Sequence, residues 1–123
     1  MANAPLHSVL WHGGRLAAYD IGLDGALSGH RIWAALGESA APDGICIDAS
    51  GAVWYADVPN RCCVRVREGG EVLETIELDR GGFSCALSDA DPPTLYVTAA
   101  DYANLGDRTG RLYAVDVNVP GIR

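Results

Sequence analysis

The side chains best suited to chemistry in this sequence are aspartates at the ends of short apolar runs. Asp43 stands in Pro42-Asp43-Gly44, directly ahead of Ile45-Cys46-Ile47; Asp48 closes that run, and Asp57 closes Val53-Trp54-Tyr55-Ala56. A carboxylate beside a glycine in a turn bonds its own backbone. Left free, it is an oxygen ligand for a hard divalent cation, or a proton acceptor. By spacing alone the turn reading leads for Asp43. Asp48 and Asp57 flank strands and are expected to end hydrogen-bond ladders or to face solvent. Asp101 and Asp107 fall in the longest late loop and are weaker candidates for the same end of the fold as Asp43.

The remaining reactive groups fit other chemistries poorly. Ser84 lies beside Cys85 without the Gly-x-Ser-x-Gly turn into a helix that exposes a nucleophilic serine. Gly13-Gly14, Gly69-Gly70 and Gly81-Gly82 read as turns rather than as a phosphate-binding loop. His7, His12 and His30 have no spacing that joins them, so solvent or hydrogen-bonding roles are expected. The four cysteines, Cys46, Cys62, Cys63 and Cys85, contain no Cys-x-x-Cys pair. Adjacent Cys62 and Cys63 point to opposite faces of a strand. Buried, reduced thiols are therefore expected rather than a zinc cluster, which suits a reducing compartment.

The formal charge of −7, with arginine as the only basic residue besides histidine, disfavours nucleic acid, because phosphate neutralisation dominates that affinity. It gives no attraction to an anionic membrane. No apolar run approaches the roughly 18 residues of a spanning helix. The first residues carry no basic stretch followed by an apolar core, so no secretory signal is read and a cytoplasmic location is expected.

These groups are held by many short strands. Arg15 to Ile21 ends at Asp24-Gly25, and Leu27 to Leu36 follows. A loop from Gly37 to Pro42 leads into Gly44 to Asp48. Ser50-Gly51 turns the chain into Val53 to Asp57, where Trp54 and Tyr55 alternate and one of them is expected to pack between sheets. Cys62 to Arg67, Glu71 to Leu78, Phe83 to Ser88, Leu95 to Ala99 and Arg111 to Val117 complete the series. Helical periodicity is weak throughout; only Ala99 to Leu105 could hold a short helical turn, and Asn104-Leu105-Gly106 reads more as loop. Such a pattern is all-β.

A repeat narrows the choice. Arg15-Leu16-Ala17-Ala18-Tyr19-Asp20-Ile21 and Arg111-Leu112-Tyr113-Ala114-Val115-Asp116-Val117 share one pattern. Arg61 to Arg67 lies between them at spacings of 46 and 50, and Val53-Trp54-Tyr55-Ala56 matches Leu95-Tyr96-Val97-Thr98 at a spacing of 42. Four strands per 40 to 50 residues is the period of propeller blades. The count predicts a partial β-propeller, residues 1–123 as a single domain: two last strands of one blade, a complete blade of four, and three strands of another. Propellers close with about four to eight blades, so either copies assemble as a homo-oligomer or N-terminal blades are missing.

The stretch Pro42 to Asp57, PDGICIDASGAVWYAD, resembles the signature of the senescence marker protein / gluconolactonase family, six-bladed propellers that hydrolyse sugar lactones with a divalent metal. GGRLAAYDIGLDGALSGHRIWAAL upstream, and VRVREGGEVLETIEL, FSCALSDADPPTLYVTAA and TGRLYAVDV downstream, follow in family order from Gly13 to Val117. The resemblance implies that Asp43 is a metal ligand at the mouth of a central channel, which reverses the order of the two readings of that residue. It implies a calcium, zinc or manganese cofactor, a sugar lactone as the small-molecule partner, and a chain that is the C-terminal part of the fold in truncated or split form. The family's other ligands, a glutamate and asparagines, come from earlier blades, so hydrolysis requires further blades. A non-catalytic module that binds or self-assembles is the alternative.

Overall fold

Val53-Trp54-Tyr55-Ala56-Asp57 is apolar at every position before its last, and an extended strand shows successive side chains to opposite faces. Such a run is stable only between two other layers, and its surroundings in the fold follow from that. The computed structural model describes residues 5–10, as backbone, and residues 14–122. They form three antiparallel sheets. Sheet I is β1 (Pro5–Leu10), β2 (Arg15–Ile21) and β3 (Leu27–Ala35), in that order. Sheet II is β4 (Pro42–Ile47), β5 (Val53–Asp57), β6 (Cys62–Val66) and β7 (Val72–Glu77). Sheet III is β8 (Gly81–Leu87), β9 (Thr94–Ala100) and β10 (Arg111–Asp116).

Sheet II lies in the middle, and β5 is buried at all of its positions. Val53 and Tyr55 join Leu16, Ala18, Trp33 and Ala34 of sheet I, with Val64 and Val66 of β6, in one apolar cluster. Trp54 and Cys63 turn the other way and pack with Leu95, Val97 and Val117. Both Trp54 and Tyr55 therefore pack between sheets, one on each side; the sequence-based expectation of a single such residue is corrected. Cys62 and Cys63 likewise go to opposite clusters, and all four cysteines are free.

Two further expectations change. Sheet I has three strands rather than two, because Pro5–Leu10 pairs with β2 along its full length, from Pro5 opposite Asp20 to Leu10 opposite Arg15. The late loop holds a 3₁₀ helix, Tyr102–Asp107, broken at Asn104 and started by the Asp101 side chain, which accepts from the Ala103 amide. The repeat aligns β2, β6 and β10; β6 and β10 are each third from the innermost strand of their sheets, whereas β2 has only β1 inside it among the described residues. β4 and β8 are the innermost strands and lie side by side. Among the described residues, sheet I has no strand inside β1 and sheet III has none outside β10.

Burial of weak acids makes the core sensitive to alkali. Desolvation, with the nearby Asp57 adding to it, pushes the Tyr55 phenol up to about 12 and the Cys62 thiol up to about 11. Free tyrosine and cysteine titrate near about 10 and 8.5. The unfolded chain thus releases these protons first, and each release favours unfolding. Stability is expected to be level below about pH 8.5 and to fall from there toward about pH 12. Urea midpoints taken from pH 7 to 11.5 check this; a midpoint that does not move across the window contradicts it.

Candidate functional site

Asp43 belongs to the first residues of the innermost strand of sheet II, and the ladder is irregular there. Pro42 pairs with Asp57 and Ile45 with Tyr55, so Asp43 and Gly44 together oppose the single residue Ala56. This is a β-bulge, a device that re-aims a side chain and leaves the extra residue outside the ladder. The neighbouring innermost strand is irregular at the same level: Gly82 pairs with Ala99 and Ser84 with Thr98, which leaves Phe83 extra. The two bulges meet. A Cβ added to Gly44 would lie 2.7 Å from Ser84 Cα and 2.9 Å from the Phe83 carbonyl oxygen, so only glycine fits beside Asp43. Ser84 Oγ and Thr98 Oγ1 share a hydrogen bond of 2.5 Å.

The chain is delivered to this bulge by a clamp of polar groups. Asp57 is 1% exposed. Its Oδ2 accepts from the Ala41 amide (3.1 Å) and from Asn60 Nδ2 (2.9 Å), and its Oδ1 accepts from the Asn60 amide (3.1 Å). Asn60 Nδ2 also donates to the Ser39 carbonyl at 2.7 Å. The loop before β4 is thereby tied to the β5–β6 turn, two residues short of Asp43. Asp57 and Asn60 are positioning residues that the sequence did not single out for this role. Their signal was the spacing Asp57-Val58-Pro59-Asn60, a turn with a side-chain acceptor at its first position.

At the opposite end of sheet II, Asp48 is also fully buried. Its Oδ1 accepts from the Ser50 hydroxyl (2.6 Å), the Ser50 amide (2.9 Å) and the Ala52 amide (3.1 Å), while Oδ2 accepts from Arg65 Nε at 2.7 Å. Of the two roles expected for Asp48 and Asp57, ending ladders or facing solvent, the second is corrected: both are buried, because donors surround each carboxylate. Asp43 differs from both. It is half-buried, and among the described residues no donor bonds its carboxylate.

The Asp101 loop follows β9, whose last residue pairs with the first of β8, so topology puts this loop at the Asp43 end of the sheets. Asp101 is occupied in its own loop: its carboxylate accepts from Asn104 Nδ2 at 2.8 Å and from the Ala103 amide at 3.2 Å. The Asn104 bond, first among the causes, holds it below the usual carboxylate range. Asp107, at the other end of the 3₁₀ helix, is exposed. A pocket of about 360 Å³ separates this loop from Val58, Pro59 and Arg61. Among the described residues, no three histidines, cysteines, aspartates or glutamates come together in a way that could hold a metal ion. His30 stacks on Tyr19 with ring centroids 5.1 Å apart, His7 is described only as backbone, and His12 lies outside the described residues.

Three four-stranded or three-stranded sheets stacked face to face, with their innermost strands side by side and a carboxylate on an inner-strand bulge, define part of a β-propeller. Residues 12–101 match the family model for the SMP-30/Gluconolactonase/LRE-like region, and the chain belongs to that family. A 6-deoxy-6-sulfogluconolactonase of Pseudomonas putida is 31% identical over 94 residues, which are 71% of this chain and 32% of that protein. A luciferin-regenerating enzyme superposes with a TM-score of 0.78 at 21% identity, over 99% of this chain and 47% of its own. Regucalcin of Agrobacterium tumefaciens, described as a calcium-binding protein, gives 0.76 at 20% identity, over 94% and 43%. At these identities the two structures speak to the fold. The chain spans about a third of the curated relative and less than half of each solved one.

Proposed function

We propose that the chain is the C-terminal part of a metal-dependent sugar-lactone hydrolase and that Asp43 is its one contribution to the metal site. The observation that carries this reading is the unbonded, half-buried Asp43 carboxylate on the inner-strand bulge, in a chain of this family. The donor chemistry suits an oxygen-preferring divalent ion, with calcium, zinc and manganese as the ions to try. One carboxylate is a single ligand, and the others would come from blades outside this chain. When bound, such an ion would polarise the lactone carbonyl and acidify a water. This chain's residues act around that chemistry: Asp43 offers an oxygen ligand or accepts a proton, Gly44 and Ser84 fix the bulge, and Asp57 with Asn60 hold the strand that carries it. An aldonolactone, opened to its acid, is the substrate class that the relative's name suggests. Four free thiols accord with a reducing, cytoplasmic setting.

The test is acid release from an aldonolactone with calcium, zinc or manganese added. Asp43→Ala is expected to reduce turnover at least ~100-fold and to leave the circular-dichroism spectrum of the β-sheets unchanged. A fully active, folded Asp43→Ala chain would sink the assignment. A second reading, a non-catalytic assembling module, is favoured by one observation, the open outer face of sheet III with Tyr96 42% and Leu112 67% exposed. No hydrolysis under any of the three ions by the chain joined to blades that supply the other ligands would favour that reading.

A further inference from the structure

We propose that Cys46 and Cys85 form a reversible disulfide, closed by hydrogen peroxide, that pins sheet II to sheet III at their innermost strands. The two residues are 39 apart in the chain, on β4 and β8, and their sulfurs lie 3.5 Å from each other. The bond itself is about 2 Å long. Closure therefore asks for a shift on the order of 1.5 Å, shared between two side chains.

A bridge needs close backbones as well as close sulfurs, with Cα atoms within about 7 Å. Beside this pair the backbones are in contact. A Cβ on Gly44, two residues before Cys46, would lie 2.7 Å from the Cα of Ser84, the residue before Cys85. The Cys85 sulfur reaches across the same seam, to 3.8 Å from the Gly44 carbonyl oxygen and 3.6 Å from that of Trp54. The other thiols are placed differently. Cys62 belongs to the opposite apolar cluster. Cys63 also meets Cys85 but is fully buried. Cys46 and Cys85 are half-buried and line one groove of about 490 Å³ with Ile45, Ile47, Leu87 and Ile122. An apolar groove admits a small neutral oxidant more readily than a charged one, which selects peroxide.

One thiolate of the pair attacks a peroxide oxygen. The O–O bond breaks, hydroxide leaves and takes up a proton as water, and the sulfur becomes a sulfenic acid. The second sulfur attacks the first, the S–O bond breaks, and hydroxide departs with the second thiol's proton as another water. The two sulfurs together give up two electrons, and peroxide is reduced to two waters. Dithiothreitol reverses the bond by exchange. The hydrogen bond to Cys85, and then burial, hold the Cys46 thiol above its usual range, so the first attack is slow at neutral pH. A pair of this kind stays reduced in a reducing compartment and closes under sustained oxidant. The bridge forms whether or not the chain hydrolyses lactones.

Excess peroxide, followed by alkylation and trypsin, reads the bridge directly. Cleavage after arginine puts Cys46 in 32–61, Cys62 and Cys63 in 62–65, and Cys85 in 81–108. The expected result is 32–61 joined to 81–108, with two of the four thiols lost and both peptides released by dithiothreitol. Oxidised protein should melt roughly 10 °C above reduced protein, since the bridge closes a loop of about 40 residues in the unfolded chain. Cys46→Ser should abolish both the link and the rise; if that variant does not fold, the peptide map of the wild type decides alone. Retention of all four thiols, a link through 62–65, a link between two chains, or bridged protein that melts no higher than reduced protein overturns the proposal.

Discussion

Asp48→Ala is expected to lower the stability of the folded chain by about 3–5 kcal/mol, the range for removing one partner of a buried ion pair. The size follows from what would be stranded. Arg65 is 17% exposed along its side chain, and Asp48 Oδ2 at 2.7 Å is its carboxylate partner. The same substitution leaves the amides of Ser50 and Ala52 without the oxygen that closes the β4–β5 turn. That turn also anchors the end of the chain: the Ala49 amide donates to the Pro120 carbonyl, and Asp48 bridges to Gly121, whose amide bonds Ser88 beyond β8. The loss should therefore loosen sheet II from sheet III as well as the turn. In thermal unfolding, a fall in Tm of roughly 10–20 °C is expected for a domain of this size. Asp48→Ala/Arg65→Met should lose less than Asp48→Ala alone, since no guanidinium is then left unpaired. A midpoint within 2 °C of wild type for Asp48→Ala would show that water satisfies Arg65 and that the pair does not hold the turn.

Gly44→Ala is expected to be strongly disruptive for a single methyl group. Its Cβ would sit 2.7 Å from Ser84 Cα and 2.8 Å from Ser84 Cβ, and backbone cannot move aside as a flexible side chain does. The two innermost strands must separate, with strain of about 3 kcal/mol, the upper end of the usual overpacking range. The readout distinguishes strain from unfolding. The urea midpoint should fall with an unchanged slope, because the amount of surface exposed on unfolding stays the same. The Cys46 and Cys85 sulfurs, 3.5 Å apart across the same pair of strands, should be bridged more slowly by a disulfide reagent. If the lactonase reading is right, Gly44→Ala should also reduce turnover by moving Asp43, without touching its charge. A variant as stable as wild type would mean that the inner strands are not in contact at this level.

Different parts of the fold were legible to different degrees. The strands from Arg15 to Asp116 were readable because each is a short apolar run between turn residues, and the 42-residue match of Val53–Ala56 to Leu95–Thr98 was enough to call blades. Pro5–Leu10 was not readable as a strand: it begins with proline, and only its pairing with β2 makes it one. The repeat spacing also drifted by a residue, since the registers match Cys63 to Leu112 at 49, whereas aligning the arginines gave 50. A bulge adds a residue without changing the residue types, so a string comparison does not see it.

What the order of residues determined by itself is the class of fold and the family, together with the position of one carboxylate at a Pro-Asp-Gly turn. Those depend on local alternation and turn chemistry, which neighbours in sequence settle. The tertiary structure decided which aspartates are spent and which is free. Asp48, Asp57 and Asp43 look alike in sequence, each beside an apolar run. Each of the first two is bonded by near neighbours and completed by one distant donor: Arg65 is 17 residues from Asp48 and Ala41 is 16 from Asp57. Only when β4, β5 and β6 are side by side do those distant partners arrive, and Asp43, lifted out of the ladder by its bulge, has none among the described residues.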